Sequence, residues 1–290
     1  MANPLQEKAL LVNLSVSAWT ASKKDNKAGT AVKSQAAASA QAGWFNKRLV
    51  NPDSLKAIGK VEGRIRDFHY KHTLPWGDNG DRILSAMAYM DYVDGLRAIK
   101  GEFEQEVAKF VRDYPALVQS ARTMLGTLYD PADYPTPESI ATRFEVRSGF
   151  TPMPDAADFR VDVGIEALAE IKKNITDSIS ERLRVATKEC WLRLDDVVGK
   201  MVRTLEDPET VFRDSLVENI RELTVLLPKM NLTSDINLTV AIRQIRADLL
   251  VDPDSLRRDK KLRAIVAEQA REILEGMIKP WTKTEAFPTT

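Results

Sequence analysis

The chain has 290 residues, of which 43% are hydrophobic and 29% charged, and its forty-two basic side chains are balanced by forty-two acidic ones. This composition suits a soluble globular protein with a real core. No apolar run approaches the roughly 20 residues that span a bilayer. The single cysteine, Cys190, excludes an internal disulfide and any multi-cysteine zinc site.

At the N-terminus, "MANPLQEKALLVNLSVSAW" lacks the basic start and unbroken apolar stretch of a secretory leader. Val12, Leu14, Val16 and Ala18 alternate with Asn13, Ser15 and Ser17, which is strand period. The Ala-rich "TAVKSQAAASAQAGWFNKRLV" predicts a helix weakened near Gly43, and 52–69 a second one. "LPWGDNGD" breaks the pattern with Pro75, Gly77 and Gly80. Asp81 then serves as the N-cap of renewed helix, in which "RILSAMAYMDYVDGLRAI" and "FEQEVAKFVRDYPALVQSARTML" carry apolar residues at three- and four-residue spacing.

Five prolines interrupt residues 129–164, where "RFEVRSGF" and "DFRVDVG" read as short strands suited to pairing with the N-terminal strand. Beyond them Ile165, Leu168, Ile175, Ile179, Ala186, Cys190, Leu194, Val197 and Met201 step along one stripe. The stripe predicts a helix of about 40 residues, roughly 60 Å long. Further helices follow in "ETVFRDSLVENIRELTVLL", "SDINLTVAIRQIRADLL" and "DSLRRDKKLRAIVAEQAREILEGMI". The phrases "NPDSL", "TPESI", "DPETV" and "DPDSL" are helix punctuation: an oxygen-bearing N-cap, then proline, then an acid at the positive end of the helix dipole. They place helix starts near 52, 136, 208 and 253.

The fold expected is mainly α: a helical bundle with a long coiled-coil-like hairpin in the C-terminal half, and a few short strands near the N-terminus and around 145–163. The organisation expected is a basic region 1–128, a Pro- and aromatic-rich junction 129–164, an acidic long-helix bundle 165–278 and a loose tail 279–290.

Motifs for chemistry are missing. The sequence has no Gly-x-Ser-x-Gly, no Gly-Lys-Ser or Gly-Lys-Thr and no Gly-x-Gly-x-x-Gly. "GDNGD" lacks the loop length and closing glutamate of a calcium site. The only two histidines, His69 and His72, need a third ligand such as Asp67 or Asp78 to hold a metal. Glu102, Glu104 and Glu106 lie at i, i+2 and i+4 in a helix that also carries Lys100 and Lys109, and read as a solvated face. Cys190 sits in a helical pattern as a small core residue. The chain is expected to be no enzyme, with neither cofactor nor metal.

Charge is unevenly placed. Residues 1–76 hold twelve Lys and Arg against five acids, a surplus of seven; the remainder holds thirty against thirty-seven. Cations and flat rings coincide three times in the basic part: Trp19 with Lys23, Lys24 and Lys27; Trp44 with Lys47 and Arg48; and Arg64, Arg66, Tyr70, Lys71 and Trp76. Cations neutralise phosphates and rings stack on unpaired bases. These twelve residues are the candidate nucleic-acid contacts.

"SAWTASKKD", "TLPWGDNGDRIL", "DYPTPESIATRF" and "DFRVDV" resemble segments of a family of uncharacterised bacteriophage proteins carried by phage and plasmid genomes, over most of residues 8–170. The resemblance implies the cytoplasm of an infected bacterium and favours DNA metabolism. The leading expectation is therefore a non-enzymatic, oligomeric phage protein that binds single-stranded DNA or RNA for replication or recombination, in the cytoplasm and without a membrane. The alternative is an oligomeric assembly, adaptor or inhibitor protein that docks on a host or phage protein, its basic front against the acidic back of a neighbour.

Overall fold

The computed structural model describes residues 4–77, 79–155, 165–207 and 209–283. In chain order it contains α1 (Pro4–Lys8), β1 (Ala9–Ser17), β2 (Ser22–Lys24), α2 (Asn26–Gln35), β3 (Asn46–Arg48), α3 (Lys56–His72), β4 (Leu74–Pro75) and β5 (Arg82–Ser85). Next come α4 (Tyr89–Leu125), α5 (Pro137–Ala141), β6 (Glu145–Pro152), α6 (Ile165–Glu206), α7 (Ser215–Met230), α8 (Ile236–Asp248), α9 (Pro253–Arg258), α10 (Lys260–Ile273) and α11 (Lys279–Lys283). The protein is mainly α-helical, as the periodicity indicated, and α6 runs for 42 residues. The strand expected at 158–164 lies outside the described residues, as do Asp78, Pro208 and residues 284–290.

The described residues gather into two compact units, each drawn from distant segments: Met1–Asn13, Tyr70–Tyr92 and Gly149–Thr290 in one, Leu14–His69 and Val93–Ser148 in the other.

The first unit is built around α6. Ile179, Ala186, Cys190, Leu194 and Met201 are buried along its expected stripe, in one core with Leu216, Ile220 and Leu227 of α7, Leu238 and Ile245 of α8, and Val266, Ala270 and Ile273 of α10. Arginines satisfy carbonyls that the ends of helices leave open. Arg193 donates to the carbonyls of Tyr70 (2.9 Å), Lys71 (2.8 Å) and Thr73 (2.8 Å). Arg263 donates to those of Thr204 (2.8 Å), Leu205 (3.1 Å), Asp207 and Thr210 (3.1 Å) at the end of α6.

Three local expectations need correction here. No helix starts at Asp81, because Ile83 and Leu84 are both buried and enter the sheet as β5. The register runs from Ala9↔Ser85 to Val12↔Arg82, and the sheet order is β4-β5-β1-β6. The N-terminal strand thus pairs within the chain. Asp81 instead accepts from Asn79 at 2.8 Å, and Ser85 caps the turn that leads into α4. Nor does a helix begin near 208: Asp207 closes a turn by accepting from the Glu209 amide and the Thr210 hydroxyl, and α7 starts at Ser215. The remaining punctuation marks hold, with Asn51, Thr136 and Asp252 each accepting from a backbone amide ahead of a proline. Of the tail expected from 279, residues 279–283 are helical, and the Trp281 ring stacks on Trp191 at 5.5 Å.

The second unit has an aromatic core. Trp19 packs on Phe110 (6.1 Å between centroids) and Tyr114 (5.8 Å), and Phe110 packs on Phe144. Ile58, Val61 and Ile65 of α3 are buried at helical spacing. The helix expected over 30–50 is corrected in both directions. It starts earlier, at Asn26, because Asp25 accepts from the Ala28 amide at 2.9 Å. It stops at Gln35 because residues 36–42 are exposed and have no apolar face to bury, and alanine propensity alone does not hold a short helix. Residues 46–48 pair with β2 instead.

Candidate nucleic-acid interface

The β2–β3 ribbon sorts the lysines. Its register is Ser22↔Arg48, Lys23↔Lys47 and Lys24↔Asn46. Side chains alternate faces along a strand, so the cross-strand pair Lys23 and Lys47 shares one face while Lys24 and Arg48 share the other. Two opposed ammonium groups repel unless an anion sits between them, and here Asp133 does. Its carboxylate, whose side chain is 3% exposed, pairs with Lys23 on one oxygen and with Lys47 at 2.7 Å on the other.

Lys47 is 6% exposed and is further held by Asp25 at 3.0 Å and by the Leu128 carbonyl at 2.7 Å. Burial pulls the Lys47 ammonium down, but Asp133 and Asp25 outweigh it and hold the group above its ordinary value. Burial pushes the Asp133 carboxyl up, and the two lysines more than reverse that, leaving it below the usual carboxylate range. The Asp25 carboxyl is also held low, first by the Ala28 amide and then by Lys47.

The opposite face of this region is open. A cleft of about 500 Å³ is lined by Asn26, Gly29, Thr30 and Lys33 of α2, by Lys24, and by the loop that carries Gln41 and Trp44. Trp44 is 72% exposed, more than any other aromatic side chain described. Lys33 crosses to the loop and donates to the Ala40 carbonyl at 2.8 Å. Among the described residues no carboxylate pairs with Lys24, Lys27 or Arg48, all of which are exposed. Asp25, the one acid on the cleft, is already engaged with Lys47.

The other residues singled out in the sequence are committed elsewhere. Trp19 and Trp76 are 8% and 7% exposed, so both are core residues and leave the set of stacking candidates. The Arg182 guanidinium lies 5.2 Å above the Trp76 ring. Arg64 forms a forked pair with Glu102, Arg66 pairs with Glu62 at 2.7 Å, and Lys71 pairs with Glu222. Tyr70 is half exposed, and Arg82 covers its ring at 4.8 Å. Of the twelve candidates, the structure brings Lys24 and Trp44 together on the cleft, leaves Lys27 and Arg48 exposed without an acid, and ties the rest into the fold.

Asn26, Thr30, Lys33 and Gln41 were missed as lining residues. Positions 26, 29, 30 and 33 lie on one helix face, a spacing visible in the sequence once the helix is started after Asp25 rather than at Thr30.

No group of three or more His, Cys, Asp or Glu among the described residues is placed to hold a metal. His69 is buried at the end of α3, and burial pushes the Cys190 thiol up to about 12, which makes it inert packing. Among the described residues no helix is long and apolar enough to cross a membrane.

Comparison with protein-family models, curated proteins and solved structures returned no match.

Proposed function

We propose that this protein binds single-stranded nucleic acid, without catalysing a reaction on it, through the Trp44 cleft. One observation carries the reading: the most exposed aromatic side chain borders a cleft whose cations have no carboxylate partners. Trp44 offers a face for one unpaired base, worth about 1–3 kcal/mol. Lys24 and Lys33 line the cleft with it and match the phosphates on either side; Lys27 and Arg48 are exposed in the same short segments of the chain and extend the positive charge beyond the cleft. A cleft of about 500 Å³ has room for a single base. Contacts this few give weak binding per chain, so several chains acting along one strand would supply the avidity. A phage-infected cell rich in single-stranded intermediates is the setting that suits such a protein.

The test is a titration of the full chain with oligo-dT, read by tryptophan fluorescence. Trp44 is the most accessible of the five tryptophans, since Trp19, Trp76 and Trp191 are buried and Trp281 is half-buried against Trp191. Quenching should weaken with salt at a slope between about −1.4 and about −3 in log K against log [salt], the values for the two cations of the cleft alone and for all four acting on a single strand. Trp44→Ala should remove the quenching. Absence of any salt-sensitive change at low ionic strength overturns the reading.

A second reading, a protein-protein adaptor, has its own observation. Phe103, Val107 and Val111 of α4, with Phe144 and Val146, line an apolar groove of about 960 Å³. The version that seats the basic front on a neighbour's acidic back has less support, because Lys23 and Lys47 already have acids within their own chain.

A further inference from the structure

We infer that Lys47 is a positioning residue of the Trp44 cleft, one that sets the spacing of the cleft's two walls without touching the strand. The inference rests on the nucleic-acid reading above.

One wall is α2 and the other is the loop 40–45. They meet at Asp25, which makes three attachments. Its carboxylate caps α2 through the Ala28 amide at 2.9 Å. Its backbone amide donates to the Phe45 carbonyl at 2.9 Å, next to Trp44. The carboxylate's other oxygen lies 3.0 Å from the Lys47 ammonium. Lys47 then carries that junction to a fixed point, since the same ammonium meets Asp133 at 2.7 Å and the Leu128 carbonyl at 2.7 Å.

Every polar partner of Lys47 therefore lies inside the unit, and none is left over for a phosphate. The four neighbouring cations differ in this respect: Lys24, Lys27 and Arg48 are exposed, and Lys33 lines the open cleft. A group that contacts phosphate and a group that only holds the contact geometry leave different traces. Removing the first lowers both affinity and the number of ions released. Removing the second lowers affinity and leaves the ion count unchanged.

The experiment measures oligo-dT affinity of the full chain over a series of salt concentrations for the wild type, Lys24→Ala, Lys47→Met and Asp25→Asn. Lys24→Ala should reduce the salt slope by about 0.7. Lys47→Met should bind roughly tenfold more weakly, the scale on which supporting contacts act, at the wild-type slope. Asp25→Asn keeps an oxygen for the Ala28 cap and loses the charge that Lys47 holds. It should repeat the Lys47→Met pattern, and it carries the test if Lys47→Met does not fold. A slope lowered in Lys47→Met or Asp25→Asn as it is in Lys24→Ala overturns the inference, because Lys47 would then be a phosphate contact. Wild-type affinity in both variants also overturns it. A wild-type chain that binds no oligonucleotide at low salt fails the nucleic-acid reading itself, a distinguishable result.

Discussion

Replacing Arg263 by methionine should be among the most damaging single changes in the α6 unit. Methionine keeps the apolar stem but removes a guanidinium that serves the carbonyls of Thr204, Leu205, Asp207 and Thr210 together and lies 5.4 Å above the Phe212 ring. Hydrogen bonds to a charged group contribute about 1.5–3 kcal/mol each, but four on one group do not add independently. Asp207 is exposed, so its carbonyl can turn to water, whereas Leu205 is buried and its carbonyl cannot. The loss should fall at about 3–5 kcal/mol, the cost of orphaning buried polar groups rather than of one bond. For a unit of this size each kcal/mol moves Tm by about 2–4 °C, so calorimetry should show a fall near 10 °C. Urea unfolding should show a lower midpoint at unchanged slope. Arg263→Lys, with the charge but without the planar fork, should recover only part of the loss. A Tm change below about 3 °C in Arg263→Met refutes the claim that these carbonyls depend on this side chain.

Trp44→Ala should weaken oligo-dT binding about 5- to 150-fold, the equivalent of one stacked base, with thermal stability unchanged; equal affinity by filter binding contradicts the platform role. Asp133 and Asp25 have carboxyl groups held below their ordinary values, so the stability they contribute is fully present above the unfolded value of about 3.9 and is lost as pH falls through the lower folded values. The urea midpoint should therefore begin to fall near pH 4, and Asp133→Asn should start about 3 kcal/mol lower at pH 6 and fall less steeply. Parallel acid profiles for the two proteins would show that the cluster is not responsible. Cys190, buried and with its thiol at about 12, should react with a thiol reagent only on unfolding. Rapid labelling of the native chain would contradict the burial.

Much of the architecture was legible because period and punctuation agree. The stripe from Ile175 to Met201 admits only a helix, and "TPESI" and "DPDSL" begin helices because the first residue of each offers an oxygen to a free amide. "RILS" was misread because a four-residue apolar run has no period of its own; the partner that makes it a strand, Ala9–Val12, lies some seventy residues away. The site was legible only in part. Composition shows lysines beside tryptophans but not which of them face an acid, and Asp133, which decides the matter for Lys23 and Lys47, is distant in sequence. Trp19 and Trp44 have similar neighbours in the chain, yet one is fixed by Phe110 and Tyr114 and the other is not covered.

The ribbon's alternation also bears on how such a chain can change over generations. Lys24 and Arg48 face solvent, where either cation suits a phosphate, so lysine and arginine can exchange at both positions at little cost. Lys47 sits in a space shaped by two carboxylates and a carbonyl, and the broad fork of arginine does not fit where a compact ammonium does. Among divergent copies of this chain, positions 24 and 48 should drift between the two cations while position 47 stays lysine and positions 25 and 133 stay acidic with it.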